Sequence, residues 1–186
     1  MQMTDVDDFA GIMLDSYDET ATLARAFFTE QDWPMTVLAK AQVFRSFVQS
    51  RVVKDDRYAL DPLYASMGRV LVTDAIIGSD LLVRSQNALQ IESELAEPTL
   101  DLAVKRALSG VKLLVYKFDQ GGLSLSWCES YAKNGGRRLL PDGQPEQIGY
   151  WPSTSISKEG TGEFDQGAGT NWDQVGDISD DTGTDA

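Results

Sequence analysis

Between Val70 and Val83 the chain carries three apolar clusters, Val70-Leu71-Val72, Ala75-Ile76-Ile77 and Leu81-Leu82-Val83, separated by only a few polar residues. Laid on a helix, they place apolar groups around nearly the whole circumference. A helix of that kind has to be buried on all sides. In a chain of this size it would sit at the centre of a bundle or be covered by another subunit. A buried strand over 70–72 is the competing local reading, because short apolar runs fit both periods.

The flanking sequence favours helices. Thr4 and Asp7 have capping-box spacing before Phe9, Ile12, Met13 and Tyr17, which share one helical face. Ser16 and Glu19 repeat that spacing and allow a second start carrying Leu23, Ala24, Phe27 and Phe28. Trp33-Pro34 interrupts, and Val37, Leu38, Ala41, Phe44, Val48 and Val52 then recur at steps of three or four. Asp61-Pro62 is a helix start, and a helical reading runs from Leu63 to about Glu97, with a break near Gly78. A further stripe, Leu100 to Phe118, precedes Gly121-Gly122, although a hairpin of Val111–Phe118 with Leu123–Glu129 fits the same residues.

The expected fold is therefore all-α. A bundle of four to five helices spans 5–118, an irregular or strand-like segment follows from about 119, and an extended acidic tail occupies 151–186. Residues 1–150 form the helical domain on this reading. The tail is rich in Gly, Ser, Thr and Asp and lacks periodicity, so it is expected to be flexible.

Charge is concentrated at the ends. Residues 1–30 hold seven acids and one base, and 151–186 hold eight acids and one base, within a net charge of −13. Such a balance argues against direct binding of nucleic acid or an anionic membrane. The acidic start MQMTDVDDF lacks the basic region of a secretory signal, and no apolar run is long enough to span a bilayer. A cytoplasmic location, or a place in an assembled particle, is the expectation.

The chain contains no histidine and one cysteine, Cys128. That removes Ser-His-Asp and Cys-His catalysis, histidine-liganded zinc and helical Glu-x-x-His di-iron sites. No cofactor, metal or catalytic residue is expected. Asp74 and Asp80 interrupt the most apolar segment and are read as structural ion pairs with Arg69 and Arg84, with oxygen-only metal binding a lesser reading. Ser155 to Lys158 matches Ser-x-x-Lys by chance, since no Lys-Thr-Gly follows. The acids from Asp173 to Asp185 lack the EF-hand order.

Two features point to partner binding. Trp151, Phe164, Trp172, Val175 and Ile178 are spaced through the acidic tail, where isolated aromatics suit docking on a neighbour. Lys133, Arg137 and Arg138 surround a glycine turn, the only basic cluster in the chain and a place for an acidic contact. The functional expectation is a non-enzymatic structural or assembly subunit of a larger complex, such as a virion connector, whose partners are other protein subunits in a homo- or hetero-oligomer. The alternatives are an acidic regulator that binds a basic partner, with nucleic-acid mimicry as one form, and a histidine-free carboxylate enzyme using a divalent metal.

Overall fold

A computed structural model describes residues 5–31, 34–87, 89, 108–119, 121–132 and 139–153. The expected all-α helical bundle is overturned: the described residues form three helices and a six-stranded mixed sheet. Helix α1 spans Asp7–Gln31 and α2 spans Val37–Val52, followed by strand β1 (Tyr58–Leu60) and the single-turn α3 (Pro62–Ser66). Strands β2 (Val70–Asp74), β3 (Ser79–Ser85), β4 (Leu108–Asp119), β5 (Gly122–Ala132) and β6 (Leu139–Pro152) complete the unit.

The sheet order is β1-β2-β3-β4-β5-β6. Pairing is antiparallel except between β3 and β4, which run parallel. The sheet is thus two antiparallel meanders joined in parallel at their inner strands. A parallel pair needs a crossover of a dozen or more residues, and the interval between Ser85 and Leu108 supplies that length.

The apolar clusters at 70–83 become the hairpin β2–β3, and the physical reason is burial on both sheet faces. Val70, Val72 and Leu81 pack with α1 and α2, whereas Leu71 and Leu82 join a second cluster on the opposite face. A strand buried on both faces reads as a continuous apolar run, as does a helix buried all round. The turn decides between them. Asp74 Oδ1 accepts the backbone N–H groups of Ile76 (2.8 Å) and Ile77 (3.1 Å), and Gly78 adopts a φ of +65°. That carboxylate caps a turn where a helix was expected to continue.

The stripe ending at Phe118 is strand from Leu108 onward for the same reason; its residues 100–107, like 90–97 of the preceding helical reading, lie outside the described residues. On β4, Leu114 and Phe118 face the helices, while Leu113 and Val115 face the other side. The hairpin alternative is the structure found: β4 and β5 pair from Phe118↔Leu123 outward. Gly122 is required there, because a Cβ would run into the Trp151 carbonyl and the Tyr150 ring.

The two N-terminal helices are present. Ser16 and Glu19 lie inside a continuous α1, so the second start is not used. Thr36 caps α2 by accepting from Ala39 N–H (3.2 Å). Asp61 caps α3 by accepting from Tyr64 N–H (2.9 Å), but that helix lasts one turn.

The main core lies between α1–α2 and one sheet face. Phe9, Met13 and Tyr17 from α1 meet Phe44, Val48 and Val52 from α2 over Val72, Leu81, Leu114, Leu123 and Leu125. Phe118 is its aromatic hub, with Tyr17 at 4.3 Å and Phe44 at 5.6 Å between ring centroids. Each such buried side chain contributes about 1.5–3 kcal/mol of transfer free energy. The second cluster covers the opposite face, where Leu89, at the start of the crossover, packs with Leu113, Val115 and Cys128. No described helix is long and apolar enough to cross a membrane.

Candidate functional site

Three places on this fold combine chemistry with position. The first is a charged corner at the start of the sheet. Arg57, just before β1, donates from Nε to both Asp74 carboxylate oxygens (3.1 and 3.2 Å), and its Nη2 adds a contact of 2.9 Å. Its Nη1 reaches Asp8 at 2.7 Å, and Nη2 also donates to the Asp5 carbonyl. The backbone joins in, since the Arg57 carbonyl accepts from Ala75 N–H at 3.0 Å.

Asp74 is completely buried. Burial alone lowers the Arg57 pKa, but the Asp74 hydrogen bond and the surrounding acidic charge hold the guanidinium above its ordinary value. Every Asp74 acceptor position is committed to the pair or the turn, so the corner is a structural clamp. The expected partners Arg69 and Arg84 are not the ones used. Arg57 lies 17 residues upstream of Asp74, and β1 pairing brings it alongside through Tyr58↔Asp74. Asp80 instead accepts from the Thr73 hydroxyl at 2.6 Å.

The second place is the tip of the α1–α2 hairpin. The buried face of α1 runs Phe9, Met13, Tyr17, Thr20, and then no further residue of this helix is buried. Ala24 and Phe27 continue the same face at steps of four and three, flanked by Leu23 and Phe28. Leu23 is 42% exposed and Phe28 51% exposed. The core-facing stripe therefore outruns its core by about two helical turns. On α2 the apolar stripe is interrupted near the tip by Lys40, which is itself buried.

The third place is a cleft on the second sheet face. Val115 and Ser126, directly paired across β4 and β5, form its floor. Gln86 and Leu89 make one wall, and Pro141, Gly143, Gln144 and Pro145 make the other. Its volume is ≈ 360 Å³. The second wall exists because β6 carries additional residues between its Glu129↔Asp142 and Trp127↔Glu146 pairings, with Gly143 at a φ of +93°. Such bulges bend a strand away from its neighbour.

Of the residues expected to bind partners, Trp151 is described. It sits near the end of β6, packs on the main core and donates its indole N–H to Asp7 at 2.8 Å. Lys133, Arg137, Arg138, Phe164, Trp172, Val175 and Ile178 lie outside the described residues, as do Ser155, Lys158 and the acids from Asp173 onward. Cys128 is buried, and burial, with Glu129 and Asp142 nearby, pushes its thiol up to about 11. Among the described residues no group of three His, Cys, Asp or Glu side chains is placed to hold a metal ion. Sequence reading missed the hairpin tip as a surface, although the repeat Leu23, Ala24, Phe27, Phe28 was visible. It also missed the cleft, for which Pro141, Gly143 and Pro145 were the only signal.

No protein-family model, curated protein or solved structure matches this chain.

Proposed function

We propose that this chain is a structural or assembly subunit of a larger protein complex, and that the α1–α2 hairpin tip is its contact face. The carrying observation is the α1 stripe. Its apolar residues continue past Thr20, leaving Leu23 and Phe28 exposed at 42% and 51%. An amphipathic helix that keeps its apolar periodicity beyond its own core is suited to burial against another polypeptide. Further copies of the chain, or other subunits, are the partners on this reading, and the functional surface is built from packing groups.

Light scattering on a sizing column tests this. The full chain is expected to run as a defined oligomer well above 20.4 kDa. Leu23→Glu with Phe28→Glu is expected to return it to the monomer without lowering its melting temperature, because neither side chain supports the core. Truncation after Ser153 separately tests the apolar tail residues Phe164, Trp172, Val175 and Ile178 while leaving Trp151 in place. An unchanged assembly would remove them from the contact.

The acidic-regulator reading keeps one supporting observation: Asp15 and Glu19 are exposed on the outward side of α1. It predicts a monomer whose partner binding falls steeply with salt. Glu19 is already engaged by Arg51 at 2.7 Å, which favours the assembly reading.

A further inference from the structure

We infer that the cleft on the second sheet face is a receptor for one large apolar side chain of a partner polypeptide, held by its flanking peptide groups. The inference rests on the reading of the chain as a protein-binding subunit, but its test is separate.

The lining selects the ligand. The floor residue Val115 and the wall residue Leu89 are both buried members of the second apolar cluster, so hydrocarbon forms part of the base of the cleft beside the Ser126 hydroxyl. Pro141 and Pro145 add two rigid rings on the far wall. Among the described residues no lining side chain carries a charge, which disfavours an ionic ligand that would shed its hydration without a counter-charge.

The polar groups present are two primary amides, Gln86 and Gln144, and the hydroxyl of Ser126. A primary amide offers a donor and an acceptor together, the same pair a peptide group offers. Gln86 and Gln144 stand on opposite walls and are both exposed, so peptide groups on either side of an inserted side chain can be met from both directions. The volume of ≈ 360 Å³ falls at the small end of ligand pockets, enough for one aromatic or branched side chain and its adjoining amides.

The cleft is also a consequence of how β6 is built. Leu139 and Leu140 hold the start of the strand in the core and Trp151 holds its end, while residues 142–147 are exposed between them. The proline at each side of Gly143 keeps the bulged wall from relaxing onto the sheet. A wall anchored at both ends is preformed, which reduces the ordering cost of binding.

The probe is N-acetyl-L-tryptophanamide, one apolar side chain between two peptide groups, titrated into the full chain and followed by amide-resolved NMR. Saturable shifts are expected at Leu89, Val115, Ser126, Gly143 and Gln144, and N-acetylglycinamide is expected to give none. Gln144→Ala should weaken binding roughly fivefold, the effect of one lost hydrogen bond. Ser126→Phe should fill the floor and abolish it. Should Ser126→Phe not fold, Gln86→Ala with Gln144→Ala carries the test, since both side chains are on the surface. Absence of saturable shifts, equal shifts with N-acetylglycinamide, or unchanged affinity in the double variant would overturn the proposal. An oligomer that persists alongside such a failure would remove the cleft and leave the assembly reading standing.

Discussion

The indole N–H of Trp151 donates to the Asp7 carboxylate at 2.8 Å, joining residues 144 apart in sequence. The neighbouring Asp8 holds Arg57 at 2.7 Å. Trp151 belongs to β6 and Arg57 leads into β1, the two edge strands of the sheet. The first turn of α1 therefore ties both edges of the sheet to one helix end. Carboxylates at a helix N-terminus also complement the helix dipole, so the same residues stabilise α1 and close the domain.

The Asp7–Trp151 contact should be measurable as a coupling. In a double-mutant cycle with Asp7→Ala and Trp151→Phe, urea unfolding is expected to give an interaction of about 1 kcal/mol. Trp151→Ala should cost more, about 2–4 kcal/mol, since its ring packs on the main core. Additive single effects would show that the bond does not close the domain.

The Arg57–Asp74 pair should behave as a buried pair. Arg57→Ala leaves a fully buried carboxylate without its counter-ion and is expected to destabilise by about 3–5 kcal/mol. Raising the salt concentration should leave the wild-type midpoint nearly unchanged, whereas an exposed pair would weaken. A loss below about 1 kcal/mol for Arg57→Ala would mean that the turn is held by its backbone bonds alone.

Tyr58 is 6% exposed, and among the described residues its hydroxyl has no hydrogen-bond partner. Its ring packs edge-on against Phe9 at 5.4 Å, so the ring is used and the hydroxyl is not. Tyr58→Phe keeps the ring and removes a desolvated polar atom. The variant is expected to match the wild type or gain up to about 1 kcal/mol in thermal unfolding. A clear loss would reveal a partner for the hydroxyl.

Alkaline stability follows from two groups. Burial pushes the Cys128 thiol from its ordinary 9.0 up to about 11, and burial likewise raises Tyr58 above its ordinary 10.0. Folding thus favours the protonated form of each, and the native state binds more protons than the unfolded state once pH exceeds 9.0. Their stabilising contribution is complete below that pH and declines as pH rises to about 11 for Cys128, with Tyr58 extending the decline. Urea midpoints should fall across this window, and Cys128→Ala should flatten the slope there, so that its deficit below pH 9.0 narrows as pH rises. The native thiol should also react slowly with an alkylating reagent near neutral pH and rapidly once unfolded.

Sequence alone carried the two N-terminal helices and the cap at Asp61, because those signals are local; the Thr36 cap and the continuity of α1 through Ser16 came only with the structure. The strands were lost where burial on both faces filled in the alternation that marks a strand. Val70-Leu71-Val72 and Leu113-Leu114-Val115 send consecutive side chains to opposite apolar clusters, so their period of two is invisible in a list of apolar residues. Asp74 was legible as a group needing a partner, but Arg57 reaches it only through strand pairing. The cleft depends on a register change in β6, which no residue pattern states. The hairpin tip was legible as periodicity, yet only the position of the sheet shows where its burial stops.

The most direct test of the central claim is the solution mass of the purified full-length chain across a concentration series, beside the Leu23→Glu, Phe28→Glu double variant. The wild type is expected to form a salt-stable oligomer and the variant a folded monomer of 20.4 kDa. A wild type that stays monomeric at every concentration, or a double variant that assembles as well as the wild type, would contradict it.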